Sequence, residues 1–277
     1  MYSSRSHTRG KGYILKIPGS ERELRVLVNC KTYPAVSTKY VETVCTGGVD
    51  ENGKFARLYP IPFRFLPEKE KYERWDIIKL RAYKDTKDKR PESWHLAPGT
   101  SIDVEKKITS ERRRWEWMQP TIFESRDAMS DLGLTNGCVE IQPIELYYKP
   151  DNRKWSESQM QAIAQGDLFA SEKERVGLGD RVPWQFRLKF RERSTGLEGD
   201  RKVLAWSYYA AYQRNKMSEG EVGALEKISE RIRKSIFNPD RTVYAIFGTH
   251  SRIGKWMISG LYHVPKTITQ LRGFQWE

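Results

Sequence analysis

Residues 183–193 alternate almost without a break: Trp184, Phe186, Leu188 and Phe190 fall on one side, Gln185, Arg187, Lys189 and Arg191 on the other. A period of two over eight residues predicts a strand with a buried face and a cationic face. The pattern then lengthens. Residues 202–217 read as a helix carrying Trp206, Tyr208, Tyr209 and Tyr212. Ser218 and Glu221 match a capping box, opening a second helix with Val222, Leu225, Ile228, Ile232 and Ile236 on its apolar side. Asn238-Pro239 stops it. Strands are predicted over 242–247 and 256–264, joined by a loop at 248–254, so the second half reads as an α+β lobe.

The first half is strand-rich. Residues 24–30 form a compact β-prone run broken at Tyr33-Pro34, and 41–46, 55–59 and 76–83 read as further strands. Gly47-Gly48 and Asn52-Gly53 supply positions tolerant of positive φ, which predicts a hairpin between the second and third strands. Short strands separated by turn signals suggest a small barrel or curled sheet over residues 22–108. Residues 84–91 form a charged loop. Ser110 caps a helix over 111–118 that Pro120 interrupts, and a second helix is expected over 121–132. Residues 149–180 read as a long connection or insertion. The resulting division is a basic arm (1–21), a barrel-like lobe (22–108), a helical and acidic connecting region (109–180) and an α+β lobe (181–277).

Charge adds a partner. The 277 residues carry 49 Lys+Arg and 36 Asp+Glu, a formal balance of +13. It is uneven: residues 111–180 hold nine basic and thirteen acidic side chains, and 181–216 hold nine and three. A cationic field attracts polyanions, of which nucleic acid is the commonest inside cells. The acidic 111–180 region is the place where other protein subunits would dock. No apolar run approaches the ~20 residues of a membrane helix, and no apolar signal core follows Met1, so a cytoplasmic protein without membrane association is expected. Three cysteines, Cys30, Cys45 and Cys138, share no CxxC spacing and the four histidines are scattered, so neither a metal site nor a cofactor is expected.

Candidate nucleic-acid contacts fall in four places. Arg187, Lys189 and Arg191 would align phosphates at strand spacing, or else form a solvated outer face. Arg112 and Arg113 lie beside Trp115 and Trp117 on the predicted helix. Lys39 and Tyr40, with Arg57 and Arg64, flank the expected barrel mouth. His250 and Arg252 occupy the 248–254 loop, an acid/base and an anion clamp if chemistry occurs there. Asp76, Asp103, Glu105, Glu140 and Glu145, all in strand-like sequence, are the carboxylates from which a metal-dependent nuclease site would be built. No phosphate loop, dinucleotide fingerprint or nucleophile elbow is present, and no catalytic residue is assigned.

The strings Lys31-Thr-Tyr-Pro34, Ser37-Thr-Lys-Tyr40, Glu42-Thr-Val-Cys-Thr-Gly-Gly48 and Arg57-Leu-Tyr-Pro-Ile-Pro-Phe-Arg64 resemble a family of uncharacterised bacterial proteins of similar length. The resemblance continues through Phe247-Gly-Thr-His250 and Trp256-Met-Ile-Ser-Gly260. It implies a bacterial or mobile-element origin and brings no activity with it. By analogy, PUA-like and OB-like barrels read RNA or flipped bases through an aromatic pocket. Tyr33, Tyr40, Tyr59 and Trp75 are the rings that would line such a pocket or fill the barrel core. The expectation is a nucleic-acid-binding protein. The alternatives are a nuclease or base-modifying enzyme and a subunit of a larger nucleoprotein complex.

Overall fold

The computed structural model describes residues 21–175, 178–250 and 254–270; the predicted basic arm, except for Glu21, and Arg252 lie outside them. The molecule is α+β. Its first half comprises β1 (Arg22–Lys31), β2 (Ala35–Ser37), β3 (Val41–Asp50), β4 (Phe55–Ile61), β5 (Asp76–Tyr83), β6 (Ser93–Leu96) and β7 (Asp103–Lys107). β1 pairs with β3, β3 with β4, β4 in parallel with β6, β6 with β5, and β5 back with β1. That circuit closes a five-stranded barrel, with β2 added to β3 and β7 to β5. Counting barrel strands alone, the order is 1-2-3-5-4-1, the order of an OB-like barrel.

Alternation along β1 sends Leu24, Val26 and Val28 into the barrel, where they meet Leu58, Ile78 and Leu80. Gly47 and Gly48 are not in the predicted turn; both lie inside β3. A Cβ on Gly48 would sit 2.3 Å from Val26 Cγ1 and 2.6 Å from the Leu27 carbonyl oxygen. The missing side chain therefore lets β1 and β3 approach where the barrel curls. The turn itself uses Gly53, at φ 71°.

The second half comprises α1 (Glu111–Met118), β8 (Ile122–Phe123), α2 (Arg126–Asp131), β9 (Asn136–Pro150), α3 (Glu157–Phe169), α4 (Glu172–Arg175), β10 (Trp184–Glu192) and β11 (Glu198–Lys202). α5 (Trp206–Ile236), β12 (Arg241–Thr249), β13 (Trp256–Pro265) and α6 (Lys266–Thr269) complete it. The sheet order is β11-β10-β9-β12-β13, all antiparallel, with β8 parallel to β9. Two elements occupy ground the sequence pattern left partly open. β9, the middle strand, arises inside the predicted connecting region. α3, capped by a reciprocal Ser156–Gln159 box, lies against the barrel with Gly166 on Val41.

β12 explains the layering. Val243, Ala245 and Phe247 meet Leu225, Ile228 and Ile232 of α5, while Tyr244 and Ile246 meet Leu27, Cys30 and Trp75 on the outside of the barrel. The sheet is thus buried between helix and barrel, which is why β12 reads as continuous apolar sequence. α5 breaks at Gly220 (φ 70°, ψ 178°) rather than at Ser218, whose hydroxyl donates back to the Asn215 carbonyl. Tyr209 and Tyr212 are buried as the helical pattern predicts, but Val222 is 64% exposed.

One half-buried group makes stability respond to pH. His263 on β13 has a sealed Nδ1 without a hydrogen-bond partner. Burial, then the nearby Arg241 and Arg74 cations, push its pKa down to about 4, with Glu111 opposing. The unfolded imidazole takes its proton near pH 6.5, so stability is present above that pH and lost as pH falls toward about 4. Thermal melts across that window should show a one-proton slope that His263→Gln removes.

Candidate nucleic-acid interface

The alternating strand is where the sequence placed it, with Phe186, Leu188 and Phe190 fully buried. Its cationic face is not free. Arg187 Nε donates to Asp200 Oδ1 at 2.9 Å and to the Tyr147 hydroxyl at 3.0 Å. Lys189 Nζ reaches Glu145 Oε2 at 2.6 Å, and Arg191 Nη2 reaches Glu198 Oε1 at 2.6 Å. Each cation finds a carboxylate on β9 or β11, so the face is an ion-paired ladder with little net charge for phosphate. Alternation within one strand carries no information about what its sheet neighbours supply. Reversing all three charges should leave the salt dependence of nucleic-acid binding unchanged, as read by anisotropy titrations.

Several other candidates serve the architecture. Arg57 is only 4% exposed and its Nη2 donates to the Thr135 carbonyl at 3.2 Å, tying the barrel to the segment before β9. Arg64 grips both Glu42 carboxylate oxygens at 2.9 and 3.0 Å. The Tyr33 ring packs on Tyr209, with centroids 4.4 Å apart, and lines a cavity with Trp155 and Trp206, while Trp75 packs on Tyr262 at 5.4 Å in the core between barrel and sheet. Arg112 pairs with Glu116 at 3.5 Å, and Arg113 is exposed on α1, the helix that packs against β13 and α6.

What remains gathers at one end of the barrel. Two connections meet there: residues 32–40, between β1 and β3, and residues 84–92, between β5 and β6. Tyr40 and Tyr59 are 36% and 40% exposed. Parallel pairing sets Leu58 beside Trp94; antiparallel pairing sets Tyr83 across from His95, with ring centroids 5.6 Å apart. Tyr83 and His95 therefore form a cross-strand ring pair, and Tyr59 follows Leu58, the last β4 residue paired with β6, on the neighbouring strand. Burial is the largest influence on the His95 pKa and lowers it, against Asp85 at 3.7 Å, so the imidazole stays neutral at pH 7.

Lys39 Nζ lies 4.9 Å from the Tyr40 ring centroid. Lys87 and Lys89 are exposed and make no ion pair among the described residues. The loop bearing them is anchored by Arg90, which chelates both Asp88 oxygens and donates to the Thr249 carbonyl at 3.4 Å. Burial opposes ionisation of Asp88, but the bonds from Arg90 outweigh it and hold that carboxyl well below its usual range. The contact to Thr249 brings exposed His250 beside the rim loop. Lys39, Tyr40 and His250 thus share one end of the molecule. Tyr83, Lys87, Lys89 and His95 join them only through the strand order; the one sequence signal was the charged loop at 84–91.

The candidate carboxylates do not converge. Glu105 is bound by Arg25, Glu145 by Lys189, and Asp76 accepts the Glu73 amide. Among the described residues no three His, Cys, Asp or Glu side chains form a metal-sized group. Burial raises the Cys30 and Cys138 thiols to about 12, so both act as small apolar side chains. No helix among the described residues is long and apolar enough to cross a membrane.

Two family models match end to end. "Domain of unknown function (DUF8758)" covers residues 22–123, and "Domain of unknown function (DUF8757)" covers residues 121–276, more than half of the sequence. The chain belongs to the DUF8757 family. Its DUF8757 region holds the sheet and α5, while the barrel and its rim fall in the DUF8758 region. No curated protein matches the sequence. Among solved structures, "Molecular basis for abrogation of activation of pro-inflammatory cytokines" contains a chain that superposes with a TM-score of 0.32 and 8% identity, over 91% of this chain and 98% of its own. A chain of "Structure of murine DNA binding protein bound with ds DNA" gives 0.31 and 10%, over 88% and 99%. Superpositions this loose carry no inference about this chain.

Proposed function

We propose that the protein binds single-stranded nucleic acid across the barrel rim. The observation that carries this reading is the pair of open tyrosines, Tyr40 and Tyr59, beside Lys39, Lys87 and Lys89, three lysines that make no ion pair among the described residues. Aromatic rings stack on bases of any sequence, and flanking cations follow the backbone. OB-like barrels use this end, where the second and third strands meet the 1–2 and 4–5 loops. Here those elements are β3, β4, residues 32–40 and residues 84–92. Bases paired inside a duplex cannot reach the rings, so the reading is of unpaired strand.

Anisotropy titration of labelled single strands and a duplex at several salt concentrations tests it. Three neutralised phosphates on a single strand give a slope of log K against log salt of about −2. The single strand should bind more tightly than the duplex, and Lys39→Glu with Lys87→Glu and Lys89→Glu should flatten the slope. Equal affinity for duplex, or a slope unmoved by those changes, rejects the rim.

A further inference from the structure

A cleft of about 500 Å³ separates the barrel from the start of α5, within the size range of small-ligand sites. None of Lys39, Tyr40, Tyr59, Lys87 or Lys89 lines it. Its floor is the end of β1. Lys31 Nζ donates to the Tyr72 carbonyl at 2.6 Å and sits 3.8 Å from the Phe63 ring centroid and 5.1 Å from that of Trp206. An ammonium has three donors, so two remain for a ligand. No carboxylate comes within ion-pairing distance of this amine among the described residues. The two acids that line the cleft are already ion-paired, Glu68 with Lys71 of the same wall at 3.3 Å and Glu73 with Lys107. Burial pushes the Lys31 amine down to about 8, and an anion beside it would restore the charge that burial opposes.

Besides Lys71, which Glu68 neutralises, two further cations line the same space. Arg74 spends Nη2 on the Leu261 carbonyl at 2.8 Å, but its sealed Nε has no hydrogen-bond partner. Arg214 is exposed, makes no ion pair among the described residues, and lines this cleft together with the cavities on either side of it. The first turn of α5 opens here as well. Its N-cap position is Ala205, which has no side-chain oxygen to satisfy the leading amides, and Ser207 adds a hydroxyl beside them. Leading amides and the positive end of a helix favour an anion. Trp206 and Tyr208, both half-buried, supply flat walls.

We propose that this cleft binds the phosphate monoester of a nucleotide, its phosphate at the start of α5 between Lys31, Arg74 and Arg214 and its base against Trp206 and Tyr208. A free mononucleotide and the 5′-phosphorylated end of a strand share that chemistry. Calorimetry with AMP and UMP on the full chain should show binding at least ten times tighter than inorganic phosphate, weakened at least tenfold by Arg214→Glu and by Lys31→Met. Arg214 is exposed, so its variant tests the site even if Lys31→Met impairs folding.

The two sources separate in the rim variant Tyr40→Ala with Tyr59→Ala. There, a preference for 5′-phosphorylated over 5′-hydroxyl oligonucleotide assigns the strand end, and mononucleotide binding without that preference assigns the free nucleotide. Neither signal in the wild type, inorganic phosphate matching the nucleotides, or signals that survive both cleft substitutions would overturn the proposal. If the rim reading alone fails, 5′-hydroxyl strands stay unbound while the mononucleotide signal persists.

Discussion

Arg126→Met should lower the unfolding free energy by about 3–5 kcal/mol, the range for stripping one partner from a buried ion pair. Arg126 on α2 and Glu192 at the end of β10 are 5% and 1% exposed as side chains, and the guanidinium Nε is bound to Glu192 Oε1. The guanidinium also lies 5.4 Å from the ring centroids of Phe190 and Phe247. Without it, Glu192 keeps one short-range donor, the Thr195 hydroxyl at 3.2 Å, inside an apolar core. The penalty belongs mainly to the stranded carboxylate, so Arg126→Met with Glu192→Met should recover more than half of the loss. Urea unfolding of the single and double variants measures both. A single variant within about 1 kcal/mol of wild type would mean that water reaches Glu192.

The largest functional effect is expected at the rim. Stacking on one aromatic side chain contributes about 1–3 kcal/mol per base. Removing Tyr40 and Tyr59 together should therefore weaken single-strand binding by at least about thirtyfold, since every 1.4 kcal/mol is tenfold. The salt slope should stay near its original value, because the lysines that displace counterions remain. Both rings are exposed, so the melting temperature should hold within a few degrees. Weaker binding accompanied by an equal loss of slope would assign the effect to displaced loops rather than to stacking.

How much of this was legible in the sequence depends on the range of each interaction. β5 and α1 fall on their predicted residues because period and capping are local: Asp76–Tyr83 alternates, and the Ser110 hydroxyl accepts the Arg113 amide. The buried side of β10 was legible for the same reason. Its charged side was not, since Asp200, Glu145 and Glu198 arrive from other strands. Strand character around Glu140 and Glu145 was legible, but Pro143 and several polar residues blur the extent of β9, and its role as the middle strand follows from pairing with β10 and β12. In the candidate site, Lys39 and Tyr40 could be picked out from loop chemistry alone. Tyr83 and His95 could not, because they join the strand of Tyr59 in one sheet only once β6 inserts between β4 and β5.

The placement of β12 between helix and barrel also bears on how the chain can be divided. The two family regions meet near residue 122, yet Tyr244 and Ile246 from the second press on Leu27 and Trp75 from the first. A cut at that seam would leave each fragment with a bare greasy flank and invite clumping during expression. The halves are interdependent: intact, they should melt in one calorimetric transition, and a truncation series should find no soluble intermediate at the seam.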